Sequence, residues 1–200
     1  MRVLTLPVLG LVSFCSLTLL PTHPLGLAYA DDVLSNTANI ASLLWHAYKS
    51  LPEPSSHVNW AGTSSSFPSL AHTAAHAMPP GFYTLDRSDP SGKSLILGPF
   101  QGKIACQAIA FGRGVCGTAA QTQKTQLVPN VEEFPGHIAC DSESKSEIVV
   151  PITVDDPNNE GGRKVVAIID VDCAVENGFD EVDAKYLGEL AELLARSCDW

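Results

Sequence analysis

The stretch EIVVPITVDDPNNEGGRKVVAIIDVD, residues 147–172, decides the fold. Its two ends, Glu147–Val154 and Lys164–Asp172, are rich in β-branched residues. Between them, Asp155–Arg163 carries Pro157, Asn158, Asn159, Gly161 and Gly162. Branched side chains suit a pleated, half-buried surface, and Pro, Asn and Gly suit turns, so the stretch predicts an antiparallel β-hairpin. It ends in Asp170-Val171-Asp172, whose alternation sets both carboxylates on one face of the strand. Two acids at the end of an apolar strand repel, which raises the pKa of one of them. Downstream, Asp180–Arg196 has helical spacing, with Asp180 as N-cap and Val182, Tyr186, Leu187, Leu190, Leu193 and Leu194 as the buried stripe. Near the other end, Ser35–Ser50 predicts a second amphipathic helix, capped by Ser35 or Asp32 and ended by Pro52 and Pro54. Short strands are expected from His57 to Gly62 and at Leu95–Leu97, Lys103–Ala110 and Leu127-Val128. A short helix is expected over about Val115–Gln123. The class is α+β: a central antiparallel sheet of five to six strands flanked by N- and C-terminal helices.

The chemistry concentrates just before the hairpin. Residues 98–147 carry Cys106, Cys116 and Cys140, spaced ten and twenty-four residues apart. No C-x-x-C pair is present, which gives little support to a zinc site. Three thiols in one stretch fit thiol–disulfide exchange, which needs an attacking and a resolving sulfur. The alternative is three buried small hydrophobes. Cys116 falls in the first turn of the expected helix, where the dipole favours a thiolate; Asp141 beside Cys140 works against one there.

Five segments carry a resemblance: LGPFQGKIAC (97–106), GRGVCGTA (112–119), FPGHIACD (134–141), SEIVVPI (146–152) and IIDVD (168–172). Together they closely resemble the free methionine-(R)-sulfoxide reductases, which are single GAF-domain enzymes. The match runs from about Leu34 to Trp200 with one interruption. The resemblance implies a GAF fold, free L-methionine-(R)-sulfoxide as substrate, and thioredoxin, itself recharged from NADPH, as external reductant. It implies no bound cofactor, no metal, a homodimer and a cytoplasmic place in the response to oxidative stress. By the same resemblance Cys140 is the nucleophile, Cys106 the resolving cysteine and Cys116 an auxiliary or alternative resolving one. Glu147, Asp170 and Asp172 match the acidic site residues, with Glu147 and Asp172 near the sulfoxide oxygen. Trp60 and Tyr83 match the aromatic residues of the pocket. The alternative in another class is a GAF sensor that holds a small molecule without turnover.

The totals fit one globular domain. The 200 residues suffice for a core, and a net charge of −10 argues against nucleic acid as a partner. Six cysteines at irregular spacing read as thiols rather than a disulfide framework. Residues 31–200 are taken as the GAF domain, preceded by a leader, Met1–Ala30. Arg2, the apolar run Val3–Leu20 and Ala28-Tyr29-Ala30 resemble a secretory signal peptide, which conflicts with a thiol chemistry suited to the cytoplasm; either the protein enters the secretory route or the first exon is wrongly assigned. The interruption is Thr63–Gly81, TSSSFPSLAHTAAHAMPPG, which has neither strand nor helix pattern. It reads as translated intron sequence or as a surface loop at a strand end. His72 and His76 inside it stand four apart, but no thiol or carboxylate lies near them in sequence to complete a metal site.

Overall fold

A computed structural model describes residues 32–63, 83–86, 88–138 and 142–200. The leader, most of the interruption, His72, His76 and Cys140 lie outside the described residues. Among those described, eight strands form one antiparallel sheet: β1 (Val58–Thr63), β2 (Tyr83–Leu85), β3 (Ser94–Leu97), β4 (Phe100–Gly102), β5 (Ala108–Ala110), β6 (Gln126–Val128), β7 (Ser146–Asp155) and β8 (Arg163–Cys173). Three helices accompany it: α1 (Val33–Lys49), α2 (Gly114–Thr122) and α3 (Glu181–Ser197).

The expected hairpin is β7–β8, paired along its whole length from Ser146↔Cys173 to Asp155↔Arg163. It is the spine of the sheet. β6 lies on the free edge of β7, and the other edge of β8 is shared end to end by β1 and β2. Thr63 faces Ile169 and Tyr83 faces Ile168, so β1 and β2 continue one line of pairing across the interruption. β4 and β3 flank the two halves in the same way, and β5 closes the edge beyond β3. This corrects the expected count of five to six strands. Eight segments occupy six positions in the sheet, because two positions are each built from two short pieces. Phe100–Gly102 was not expected as a strand. The expected strand Lys103–Ala110 shortens to Ala108–Ala110, which leaves Cys106 in a loop.

Both faces of the spine are buried, and the alternation of side chains divides them. Ile148, Val150, Ile152, Ile169 and Val171 pack against Ile40 and Leu44 of α1 and Leu187, Leu190 and Leu194 of α3. Each fully buried leucine or isoleucine contributes about 1.5–3 kcal/mol relative to exposure. Val149, Ile168, Trp60 and Tyr83 face the other way, under Val115, Ala119 and Ala120 of α2. The caps follow the sequence. Asp32 accepts from the Ser35 amide at 2.8 Å, settling the choice of cap for α1. Asp180 and Asp183 make a reciprocal capping box on α3. Asp183 also accepts from the Tyr48 hydroxyl at 3.0 Å and so ties α3 to α1.

A bulge in β1 positions the site. Val58 pairs with Cys173 but Trp60 pairs with Asp172, so β1 holds one residue more than β8 at that point. Val58 therefore joins the core beneath α1 and α3, while Trp60, two residues on, joins the opposite one.

The continuous register across β1 and β2 carries a prediction. Deleting Thr63–Gly81 joins Gly62 to Phe82, which then takes the place opposite Ile169 and leaves Tyr83 opposite Ile168. The deletion removes a loop-closure cost of about 2–3 kcal/mol. The shortened protein is expected to fold with a melting temperature no lower than that of the parent, as read by calorimetry.

Candidate active site

Across the face beneath α2, three neighbouring strands set Trp60, Asp172 and Glu147 side by side, through the pairs Trp60↔Asp172 and Glu147↔Asp172. Asp170 stands two residues along β8, opposite Gly62 and Val149. Tyr83 follows along the same line, opposite Ile168. Trp60 stacks on Phe100 with ring centroids 5.4 Å apart and lies 6.0 Å from the Tyr83 ring. Trp60, Tyr83, Glu147, Asp170 and Asp172 line a cavity of about 250 Å³.

Cys116 enters from α2. The turn Phe111–Arg113 brings the helix start onto the end of β5, and the Gly112 amide donates to the Gly117 carbonyl at 2.7 Å. A Cβ on Gly117 would lie 2.3 Å from the Ala110 carbonyl oxygen. Gly117→Ala must therefore push α2 off the strand, and a loss of about 2–3 kcal/mol in unfolding free energy is expected from denaturant titration. The close approach places Cys116 Sγ 3.1 Å from Asp170 Oδ2 and 3.4 Å from Glu147 Oε1.

This environment overturns the thiolate expected for Cys116. Burial pushes its pKa well up, and Asp170 and Glu147 push it further. At a buried site the loss of water and two carboxylates outweigh a helix-end dipole of about half a charge. Glu147 is likewise raised well above the ordinary carboxylate range, chiefly by burial, then by Asp170 and Asp172. Asp170 is raised to about 7 by burial, against the hydrogen bonds from Cys116 and Glu147, which lower it. Mutual repulsion was the expected cause for the acids, but desolvation is the larger one. Burial raises Tyr83 too, so its phenol stays protonated. Asp170 Oδ1 and Trp60 Nε1 are buried without hydrogen-bond partners.

The structure thus gathers Trp60, Tyr83, Cys106, Cys116, Glu147, Asp170 and Asp172 around one cavity. Cys106 lies in the loop after β4 and is disulfide-bonded, whereas Cys116, Cys173 and Cys198 are not. The reading of all cysteines as reduced thiols is corrected to that extent. Sequence reasoning gave Arg113 no role, yet it lines the cavity beside the start of α2. His137, which in sequence could polarise Cys140 or lie on the surface, also lines the cavity, and burial lowers its pKa. Ile104, 87% exposed, and Ile138 complete the mouth. The available signal for Arg113 was its position three residues before Cys116.

The chain was compared with known proteins. The GAF domain family profile matches residues 68–197. The free methionine-R-sulfoxide reductase of Saccharomyces cerevisiae is 49% identical over 163 residues, which is 82% of this chain and 74% of the yeast protein. The enzyme of the same name from Escherichia coli is 38% identical, over 68% of this chain and 79% of its own. The crystal structure of the Neisseria meningitidis free methionine-R-sulfoxide reductase with its substrate superposes with a TM-score of 0.66 at 32% identity, covering 97% of this chain and 87% of that one. Sequence, domain profile and fold agree, and the chain belongs to the free methionine-R-sulfoxide reductases of the GAF-domain family.

Proposed function

We propose that this protein reduces free L-methionine-(R)-sulfoxide to methionine, with Cys140 as nucleophile, Cys106 as resolving cysteine and thioredoxin as reductant. The observation that carries the reading is the buried group of Glu147, Asp170 and Cys116 beside a disulfide-bonded Cys106 in one cavity. The Cys140 thiolate attacks the sulfoxide sulfur while an acid protonates the oxygen. Glu147, kept protonated by burial, is that acid, with Asp172 beside it. Methionine leaves and Cys140 becomes a sulfenic acid. Cys106 condenses with it, forming the Cys106–Cys140 disulfide and releasing water. The resemblance pairs Cys106 with Cys140, and a disulfide-bonded Cys106 supports that reading. Thioredoxin, recharged from NADPH, returns both thiols.

A free amino acid differs from a methionine residue by its two terminal charges. Asp170 and Asp172 supply negative charge to the ammonium group, and Arg113 at the rim supplies positive charge to the carboxylate. Trp60 and Tyr83 close over the thioether end. The dependence on a thiol reductant favours the cytoplasm. Among the described residues no helix is long and apolar enough to cross a membrane.

The test is thioredoxin-coupled NADPH consumption with free L-methionine-(R)-sulfoxide, the (S) epimer and a peptide-bound sulfoxide. Turnover of the free (R) epimer alone is expected. Equal turnover of the peptide would overturn the assignment of Asp170, Asp172 and Arg113 to the terminal charges. No turnover by a folded, reduced sample would overturn the activity.

A further inference from the structure

We propose that Cys116, Glu147 and Asp170 form a zinc-binding site at the floor of the cavity, so that Zn²⁺ acts as a reversible inhibitor. The three residues come from α2, β7 and β8, and each offers one ligand atom, all within 4.8 Å of one another. All three are buried. With Zn–S near 2.3 Å and Zn–O near 2.0 Å, the sulfur–oxygen edge of a tetrahedral site is about 3.5 Å. The Cys116 Sγ distances to Asp170 Oδ2 and Glu147 Oε1, 3.1 and 3.4 Å, are already close to that edge. The fourth position opens on the cavity, where a water completes the tetrahedron.

A second observation points to a ligand. Asp170 is only 5% exposed, and its Oδ1, bonded to the same carbon as the oxygen that meets Cys116, is buried without a partner. A buried polar atom left unpartnered is costly, and a cation held by Oδ2 and leaning towards Oδ1 of the same carboxylate would offset that cost. The donor set selects the ion. Magnesium and calcium take oxygen ligands in octahedral or larger shells, whereas zinc accepts sulfur and oxygen together in a shell of four. Binding moves no electrons. The thiol proton, with any proton held between the carboxyls, leaves for solvent as the dication enters. The inhibitory consequence rests on the proposed reductase chemistry, because Glu147 cannot bind zinc and protonate the sulfoxide at once. The site itself rests on geometry alone.

The test uses the full chain carrying Cys106→Ser and Cys140→Ser, reduced and then freed of reductant, so that only Cys116, Cys173 and Cys198 offer described thiols. Titration with Co²⁺ is expected to develop a thiolate-to-cobalt charge-transfer band that saturates at one equivalent and is displaced by one equivalent of Zn²⁺. Adding Cys116→Ala is expected to abolish the band and weaken Zn²⁺ binding about 100-fold or more. Adding Asp170→Asn instead keeps the thiol and is expected to weaken binding about 10-fold. No stoichiometric band, or a band unchanged by Cys116→Ala, overturns the proposal. Should Cys116→Ala fail to fold, unchanged affinity in Asp170→Asn overturns it equally. These readouts need no turnover, so a failed reductase assay leaves the site standing and a failed metal titration leaves the reductase reading standing. In the unsubstituted protein, Zn²⁺ is expected to raise KM for the sulfoxide at unchanged kcat. A fall in kcat alone would overturn the competition.

Discussion

Cys140→Ser is expected to lower kcat/KM for free L-methionine-(R)-sulfoxide by about three orders of magnitude or more. A hydroxyl is far less ionised than a thiol near neutral pH and far less nucleophilic towards sulfur, and an attacking oxygen cannot become a sulfenic acid. The matching control is Cys106→Ser. It keeps the attacking sulfur but removes the one that condenses with the sulfenic acid, so one equivalent of methionine should be released rapidly without steady turnover. Dimedone should then label Cys140, as read by mass spectrometry of the digested protein. Steady thioredoxin-dependent turnover by Cys140→Ser would place the nucleophile elsewhere. The free, buried Cys116 would then be the next sulfur to consider, although its neighbouring acids hold its proton firmly.

Glu147→Gln is expected to cost about 100- to 1000-fold in kcat, with a smaller change in KM. The amide keeps the shape and a hydrogen bond but has no proton to give to the departing oxygen. Stability should move the other way. Asp170 is raised from 3.8 to about 7 in the folded protein, because burial disfavours its charged form. A carboxyl raised in this way favours folding fully below its unfolded pKa, and the contribution is lost as pH rises through about 7. Asp170→Asn removes that titration. The melting temperature of the variant relative to the parent should therefore be nearly unchanged in acid and should climb across the range from 3.8 to about 7. A difference that stays flat with pH would show that Asp170 ionises freely in the folded chain. Function and stability thus oppose each other at these two acids, the trade-off expected where a site keeps charged groups out of water.

The hairpin and both terminal helices were legible because their signals are local. Branched residues at Glu147–Val154 and Lys164–Asp172, the turn between them and the cap at Asp180 each specify their own element. Glu147, Asp170, Asp172, Trp60 and Tyr83 came from the resemblance, and the alternation of Asp170 and Asp172 from the pleat. What sequence could not supply was burial. The dipole argument at Cys116 held for an isolated helix end and failed once Gly117 let α2 sit on β5 with two acids beneath it. Repulsion between acids was visible in the chain, whereas the larger effect of desolvation needed the lid of α2. The zinc ligands escaped notice for a similar reason. Spacing rules find ligands on one element, and these three converge from separate elements. The bulge at Asn59 likewise leaves no mark in the sequence, yet it decides that Trp60 faces the cavity.

The shared pairing of β1 and β2 along β8 has a topological consequence. Trp60 and Tyr83, which meet in the site, are held in place by the ladder to β8 and not by the chain that runs between them. The described residues before 64 form one arm, α1 with β1. Those after residue 82 form the remainder of the sheet, with α2 and α3. The arm is fastened along β8 and β4 and by the packing of α1 against the sheet and α3. The described molecule is in effect a pair of complementing fragments, and the integrity of its pocket rests on pairing along β8 rather than on covalent continuity between Thr63 and Tyr83.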